Sequence, residues 1–360
     1  MQVTGCNAKI GKYMAHRTVA LIVLLLVLCT PLAASACKAP AGPYVDSGKA
    51  YYEKKDYDRA VADFSKAIEL DPGLVTAYLG RGQVYLTLGK YDLAYADFDK
   101  AITLYPNSSE GYAGRAICLR TQGDNSRAID DFTKAIQLDS SNSRAYFGRG
   151  YTYYAIGSWD KAMADFSKVI ALSSGPLASA YAMRGACNYQ LGQIEEAIVD
   201  NQRAIDLKPN AAVYNNQGWY LITQGRYSEA IVSINQALAL DPNNPDIWDS
   251  RGWYYFNIGD YNQAIEDFSR AINIGGEISD IYAHRGASIY FMKEFDKALP
   301  DLDKAVQLDG KNALAYYYRG LDYEAMGQNS QAISDFQAAI NNTTDPTLLK
   351  QATDQAKALK

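Results

Sequence analysis

A glycine or alanine recurs about every 34 residues along this chain, nine times in all. The successive intervals are 34, 34, 34, 35, 33, 34, 34 and 34 residues. A fixed period of this size indicates a stacked repeat array, in which each repeat contacts only its neighbours. The chain is therefore expected to form an extended surface, which is better suited to binding than to catalysis. The small residues are Gly48, Gly82, Ala116, Gly150, Gly185, Gly218, Gly252, Gly286 and Gly320.

Other residue types keep the same register in every repeat. An aromatic residue stands four positions before each small residue, and an alanine stands twelve positions after it. A large residue, most often phenylalanine, follows that alanine by four positions, as Phe64 and Phe98 do. Offsets of three and four place residues on one stripe of an α-helix. Each repeat therefore contains two antiparallel helices, separated by turn residues such as Leu88, Gly89 and Lys90.

The second repeat carries the fullest set of these residues: Tyr78, Gly82, Tyr85, Ala94, Phe98, Ala101 and Pro106. This set resembles the tetratricopeptide repeat family, whose repeat is a helix–turn–helix of 34 residues. The resemblance extends over residues 41–346 and implies an all-α, right-handed solenoid. The predicted repeats cover residues 41–74, 75–108, 109–142, 143–177, 178–210, 211–244, 245–278, 279–312 and 313–346, and a capping helix follows over 347–360.

Arginine precedes the small residue in seven repeats, and an aspartate follows each arginine by sixteen positions. The sixth repeat lacks both and has Gln217 and Ser233 instead. This joint loss indicates that the two residues pair between the helices of one repeat and fix their register. There are two alternatives. The residues could pair with the adjacent repeat, or they could form a row of charges that binds a ligand. The pairs are Arg81–Asp97, Arg115–Asp131, Arg149–Asp165, Arg184–Asp200, Arg251–Asp267, Arg285–Asp301 and Arg319–Asp335.

Two further positions depart from the pattern. Asn188 and Asn201 stand in the fifth repeat where most other repeats have apolar residues. One extra residue also follows the fourth repeat, within the segment Ser173-Ser174-Gly175. These departures predict a local irregularity and leave the repeat architecture unchanged.

Charge and motifs argue against nucleic-acid binding and catalysis. The net charge is −5, without the basic footprint that a general nucleic-acid binder needs. His284 is expected to be a partly exposed helical histidine, because nothing in the sequence places a nucleophile beside it. Cys118 and Cys187 are expected to be buried thiols outside any disulfide, since repeats two apart lie too far from each other. No catalytic, cofactor-binding or metal-binding residue is predicted.

The first 36 residues have the pattern of a targeting segment. Eleven apolar residues, 19–29, follow Lys12 and Arg17, and Ala34-Ser35-Ala36 forms a cleavage pattern. Met14 is an alternative start, since Met14 to Ala36 would be a signal of ordinary length. Cys37 would be the first residue after cleavage, which resembles a bacterial lipoprotein signal and implies lipidation of Cys37.

A short tether over residues 37–43 would then join the lipid to the repeats. Plain secretion and an uncleaved N-terminal anchor are the alternatives. The expected location is the extracytoplasmic membrane surface of a prokaryote.

The first helix of each repeat has a second stripe of residues, at three positions before, one after and four after the small residue. In tetratricopeptide proteins the corresponding face lines a groove that binds extended peptides, so the resemblance implies the same role here. Tyrosine and tryptophan side chains combine a large apolar contact area with one hydrogen-bonding group. The alternative is that these rings only pack against the adjacent repeat. The predicted groove residues are Phe147, Tyr151, Tyr154, Tyr189, Asn215, Trp219, Asp249, Trp253, Phe256 and Tyr290.

These observations predict a protein–protein interaction scaffold without enzymatic activity. Some family members clamp a C-terminal carboxylate with basic residues, but Asn215 and Asp249 stand where such residues would be needed. Asn215 could instead bond a peptide backbone, because an amide both donates and accepts. The competing hypotheses are a carbohydrate or cell-wall binder, since aromatic rows also stack on sugars, and a self-assembling structural spacer. The sequence leaves the oligomeric state open.

Overall fold

The computed structural model describes residues 40–173, 175 and 177–359. The chain divides into two compact units, Met1–Leu138 and Asp139–Lys360. Within the described residues, secondary structure consists of helices and turns. The predicted signal segment 1–36, Cys37 and the next two residues of the predicted tether lie outside the described residues.

Six helices form the described part of the N-terminal unit, and thirteen form that of the C-terminal unit. We call the first helix of each repeat the A-helix and the second the B-helix. The N-terminal unit contains α1 Gly42–Glu53, α2 Tyr57–Leu70, α3 Val75–Thr87, α4 Tyr91–Leu104, α5 Ser109–Thr121 and α6 Asn125–Leu138. The C-terminal unit contains α7 Ser143–Ala155, α8 Trp159–Ala171, α9 Leu177–Gln190, α10 Ile194–Leu207, α11 Ala211–Thr223, α12 Tyr227–Leu240, α13 Pro245–Asn257, α14 Tyr261–Gly275, α15 Ser279–Phe291, α16 Phe295–Leu308, α17 Ala313–Ala325, α18 Asn329–Asn342 and α19 Pro346–Ala358.

A left-handed residue ends each A-helix and turns the chain into the B-helix. Seven repeats place a glycine there, for example Gly89 with φ of 69°. Glycine adopts this conformation without the steric cost that a Cβ imposes. Lys55 and Lys293 occupy the equivalent position in the first and eighth repeats, with φ of 61° and 63°. The seven glycines are Gly89, Gly123, Gly157, Gly192, Gly225, Gly259 and Gly327.

The two helices of a repeat meet where the small residue of the A-helix faces the large residue of the B-helix. A Cβ added to Gly252 would lie 2.6 Å from the ring of Phe268, and one added to Gly82 would lie 3.1 Å from Phe98. The rings of Phe98 and Phe268 are 3% and 0% exposed. Because the rings occupy the space that a side chain would need, the glycines set the distance between the helices.

All seven arginine–aspartate pairs are present, and each joins the two helices of one repeat. The guanidinium donates from Nε and Nη2 to the two carboxylate oxygens, at 2.6–2.9 Å in every pair. Such bidentate pairs fix orientation as well as distance. The predicted pairing within a repeat is therefore confirmed.

The same arginines also reach the preceding B-helix. Nη1 of Arg115 donates to Asp99 at 2.6 Å, and Nη1 of Arg319 donates to Asp303 at 2.8 Å. Arg285 makes the equivalent bond to the hydroxyl of Ser269 at 3.1 Å. One guanidinium thus connects three helices, so pairing within a repeat and pairing to the adjacent repeat both occur.

The departures in the fifth and sixth repeats form one buried contact. The amide of Asn201 on α10 donates to the side-chain oxygen of Gln217 on α11 at 3.0 Å and to the backbone oxygen of Val213 at 2.7 Å. Asn201 and Gln217 are 0% and 5% exposed. The sixth repeat thus replaces the arginine–aspartate pair with an amide pair to its neighbour.

The arginine–aspartate pairs should contribute measurably to stability. In a double-mutant cycle on Arg251→Ala and Asp267→Ala, we expect a coupling energy of about 1–3 kcal/mol in urea unfolding. The exposed pair Lys297–Glu294, 2.8 Å apart with side chains 72% and 40% exposed, is the control and should give less than about 0.5 kcal/mol. Equal coupling energies for the two pairs would contradict this structural role.

Candidate functional site

All ten predicted groove residues lie on A-helices of the C-terminal unit. Nine are half-buried, and Tyr151 is 41% exposed. Adjacent A-helices pack against each other, including α11 against α13 and α15 against α17. Residues of neighbouring A-helices therefore come together into one surface, whose binding role stays a prediction.

The aromatic residues of the fifth to seventh repeats form a continuous stack. Nε1 of Trp219 donates to the hydroxyl of Tyr189 at 2.8 Å. The rings of Trp219 and Trp253 are nearly parallel, with centroids 6.4 Å apart, and Trp253 stacks on Phe256 at 4.8 Å. Each of these side chains is half-buried and in contact with at least one other aromatic side chain. We call Tyr189, Trp219, Trp253 and Phe256 the aromatic stack.

The remaining predicted residues are placed differently. Phe147 packs edge-on against the buried Phe166, with centroids 5.5 Å apart, and Tyr154 contacts the same core cluster. Oδ1 of Asn215 is buried away from solvent. Tyr290 packs against Phe291, Phe295 and Tyr318 rather than against the aromatic stack. The structure therefore brings together a subset of the predicted residues.

His284 is buried, so the prediction of a partly exposed histidine is wrong. Its side chain is 10% exposed, and Nδ1 lies 2.8 Å from Oδ1 of Asp249 on the preceding A-helix. Its ring lies 4.6 Å from that of Trp253. The partner stands 35 residues away in sequence, where spacing within one repeat does not reveal it. The carboxylate of Asp249, one of the predicted groove residues, is thus engaged by His284.

Burial lowers the pKa of His284, but the charge and hydrogen bond of Asp249 outweigh it, and the net shift is upward. In the folded protein His284 therefore keeps its proton to a higher pH than an ordinary histidine, whose pKa is about 6.5. The charge sits against the indole of Trp253, where a change of protonation alters the environment of that ring.

We expect the tryptophan fluorescence of the protein to titrate with a midpoint above pH 6.5, because His284 contacts Trp253. Asp249→Asn should move the midpoint downward, since the charge of Asp280 is then left alone to oppose the effect of burial. Trp253→Phe is the control and should remove most of the signal. An unchanged midpoint in Asp249→Asn would contradict the assignment.

Three residues that the sequence analysis did not select extend the aromatic surface. Phe291 lies 5.4 Å from Phe256, and Tyr318 lies 6.4 Å from Phe256 across two repeats. His284 and Tyr318 stand two positions before their small residues, and Phe291 stands five positions after its own. Positions seven apart share one side of a helix, so this row could have been found by extending the predicted stripe.

Asp322 on α17 is a buried carboxyl group near Tyr290. It is 0% exposed, and no protein group donates a hydrogen bond to either of its oxygens. Burial, followed by the charges of Asp296 and Asp303, raises its pKa to about 7. At the equivalent position of the preceding repeat, Ser288 donates its hydroxyl to the backbone oxygen of His284 at 2.9 Å. The ninth repeat therefore has a carboxyl group without a hydrogen-bond donor where the eighth has a hydroxyl that makes a hydrogen bond.

Stability should decline as pH rises from about 4 to about 7, because Asp322 holds its proton longer in the folded chain than in the unfolded one. Asp322→Ser copies the neighbouring repeat and should remove this decline. Above pH 7 the variant should be more stable by on the order of a few kcal/mol in urea unfolding. Asp354→Ser, at an exposed site on α19, is the control. The same pH dependence in Asp322→Ser and the wild type would refute this account.

Within residues 40–173, 175 and 177–359, no group of three or more His, Cys, Asp or Glu side chains is placed to hold a metal ion. None of the helices in that same part of the chain combines the length and the apolar character needed to cross a membrane.

Comparison with known proteins gives a consistent family match. Models described as tetratricopeptide repeat match residues 75–108, 178–210, 211–244 and 234–266, and another matches 144–173 and 314–342. A model described as TPR repeat matches residues 48–89 and 119–157. A search of curated proteins found no match.

Solved structures give the same result for the fold. A tetratricopeptide repeat protein from Parabacteroides merdae is 16% identical, with a TM-score of 0.51 over 69% of this chain and 98% of its own. PilW, a type IV pilus biogenesis factor, is 20% identical, with a TM-score of 0.53 over 57% of this chain and 96% of its own. YrrB, described as a TPR protein with an unusual peptide-binding site, is 27% identical, with a TM-score of 0.43 over 49% of this chain and 91% of its own. The first two confirm the predicted all-α repeat solenoid.

Proposed function

Because this chain belongs to the tetratricopeptide repeat family, we propose that it is a non-enzymatic scaffold for a peptide or protein partner. The partner contacts the aromatic stack on the A-helices of the C-terminal unit. This proposal rests on the arrangement of Tyr189, Trp219, Trp253 and Phe256, which offers ring faces at one surface.

The rings of the aromatic stack are fixed before any partner arrives. Trp219 is held by its hydrogen bond to Tyr189, and Trp253 is held between Trp219, Phe256 and His284. Side chains that are already ordered lose little conformational entropy on binding. Tryptophan and tyrosine also contribute more binding energy than other residue types at protein interfaces.

The chemistry of this surface favours an extended segment with apolar side chains. The stack offers ring faces and one indole edge, and the nearby charge of Asp249 is taken up by His284 at 2.8 Å. Among the predicted groove residues, no side chain is basic, so a carboxylate clamp does not account for the surface. The partner is therefore held by apolar contact, with Tyr151 as an exposed tyrosine on α7.

The proposed place of action is the extracytoplasmic surface of a membrane. The apolar residues 19–29, the cleavage pattern at residues 34–36 and Cys37 support this location. Lipidation of Cys37 would keep the repeats close to that surface. Mass spectrometry of the mature N-terminus tests the proposal: a lipid-modified Cys37 supports it, and an intact chain from residue 1 or 14 contradicts cleavage.

The aromatic stack should supply a large share of the partner's binding energy. Crosslinking in native cells identifies the captured protein, and binding is then measured with purified components. We expect Trp219→Ala with Trp253→Ala to weaken binding by more than about 2 kcal/mol, the scale of interface hot spots. Circular dichroism checks that helicity persists in the variant.

Trp248→Ala is the matched control for this experiment. Trp248 lies against the guanidinium of Arg251, 4.6 Å from its carbon, and its Nε1 donates to the backbone oxygen of Pro242 at 2.8 Å. It stands outside the aromatic stack, so its loss should leave partner binding unchanged. Equal binding by the double variant and the wild type would refute the assignment. Binding of a purified glycan to the protein, with no protein partner captured by crosslinking, would favour the carbohydrate hypothesis instead.

A further inference from the structure

A tyrosine three positions after the small residue covers the arginine of the arginine–aspartate pair in four repeats. The guanidinium carbon lies 5.8–6.0 Å from the ring centroid of this tyrosine. The tyrosine four positions before Gly82, Tyr78, covers the other side of Arg81 at 6.0 Å. The arginine is therefore enclosed between two rings in these repeats. The four contacts are Arg81–Tyr85, Arg149–Tyr153, Arg251–Tyr255 and Arg319–Tyr323.

The third, fifth and eighth repeats lack the second ring, and the fifth is the one that has a polar residue in its place. Asn188 stands at the position of the tyrosine and donates its amide to Oδ2 of Asp200 at 3.1 Å. Tyr181 still covers one side of Arg184, 5.5 Å from the guanidinium carbon. The side chain of Arg184 is 26% exposed, against 17–23% for the other six arginines of these pairs. Nη1 of Arg184 donates to the hydroxyl of Ser167 at 3.3 Å, so the open part of this guanidinium is the face that the tyrosine covers in the four other repeats.

A cavity of about 450 Å³ opens at this place between α8, α9 and α10. This volume lies within the range of about 300–1,000 Å³ found for ligand pockets. Its walls are apolar at Met163 and Val199, and Arg184 and Asn188 also line it. Val199 is 59% exposed, so the apolar wall continues to the protein surface.

Two carboxylates stand at the edge of the cavity. Glu195 and Glu196 both line it and are exposed. Glu195 also accepts a bond from Arg226 at 3.4 Å, with its side chain 62% exposed. The positive charge of Arg184 is already balanced by Asp200, whose carboxylate accepts two hydrogen bonds from the guanidinium. The rim therefore favours a cation, and it disfavours an anionic ligand.

We propose that this cavity receives an aromatic side chain of a partner protein, with a lysine or arginine next to it in the partner's sequence. The ring stacks on the open face of Arg184 and takes the place that a tyrosine of the repeat itself holds in four other repeats. Met163 and Val199 contact its edges. The adjacent basic residue lies beside Glu195 and Glu196. This surface is formed by B-helices together with α9 and is separate from the aromatic stack.

The test uses acetyl-Tyr-Lys-amide as the probe and the purified full-length chain. Binding is followed by NMR through the methyl group of Met163 and the Nε–H of Arg184, which a stacked ring shifts. We expect saturable shifts of both signals. Acetyl-Leu-Lys-amide and acetyl-Tyr-Glu-amide should each bind at least about tenfold more weakly, since one lacks the ring and the other the cation.

Asn188→Tyr restores the ring of the other repeats and should abolish binding of the probe, because the cavity is then filled from within. The matched control is Trp219→Ala with Trp253→Ala, which changes the aromatic stack and should bind the probe as the wild type does. Should Asn188→Tyr fail to fold, Glu195→Lys with Glu196→Lys, at exposed positions, should reverse the preference between the Lys and Glu probes.

Several results would overturn the proposal. These are the absence of saturable shifts at the solubility limit of the probe, equal binding of the Leu and Tyr probes, and unchanged binding in a folded Asn188→Tyr variant. Loss of probe binding in the tryptophan double variant would place the probe at the aromatic stack instead.

Discussion

The bidentate bond between arginine and aspartate is the contact on which the packing of seven repeats depends. A helical hairpin of about 30 residues has no core of its own, so its two helices need a fixed orientation before neighbours can pack on them. The guanidinium supplies this orientation through two bonds to one carboxylate and a third bond to the preceding B-helix in several repeats. Enclosure between aromatic rings shields the pair from water and strengthens it. The same group therefore sets the angle within a repeat and the spacing between repeats.

The sequence predicts the features that repeat, because nine copies of one pattern reveal each position many times. The helices, the buried alanine row and the arginine–aspartate pairs all follow from offsets within one repeat. Side chains that differ between repeats are harder to predict. The bond between His284 and Asp249 joins two repeats and has one instance in the part of the chain that the structure describes, so the repeat pattern does not predict it. Asn201 and Gln217 were each visible as departures, but their contact depends on the docking of two hairpins.

In the candidate binding surface, too, some features could be predicted from the repeat pattern and others could not. The positions of Trp219 and Trp253 in one row of adjacent repeats predict that the two rings lie close together, and their centroids are 6.4 Å apart. The sequence does not show how much of each ring is used in packing. Phe256 illustrates the point, because it contacts Trp253, Phe291 and Tyr318 at once. Contacts of this kind depend on the size of side chains on neighbouring helices, which helical spacing alone does not determine.

The amide contact between Asn201 and Gln217 has a consequence for how the chain reaches its native order. Nearly identical hairpins can dock on the wrong neighbour, which is a common failure of repeat proteins during folding. If the sixth repeat docked on any repeat other than the fifth, Gln217 would meet a phenylalanine or leucine and lose its amide partner. Asn201 would likewise lose the oxygen of Gln217 and would meet an arginine, which has no acceptor, in all other repeats except the first. An unsatisfied buried amide costs about 1–3 kcal/mol, so this single polar match penalises arrays in which a hairpin has been skipped or exchanged.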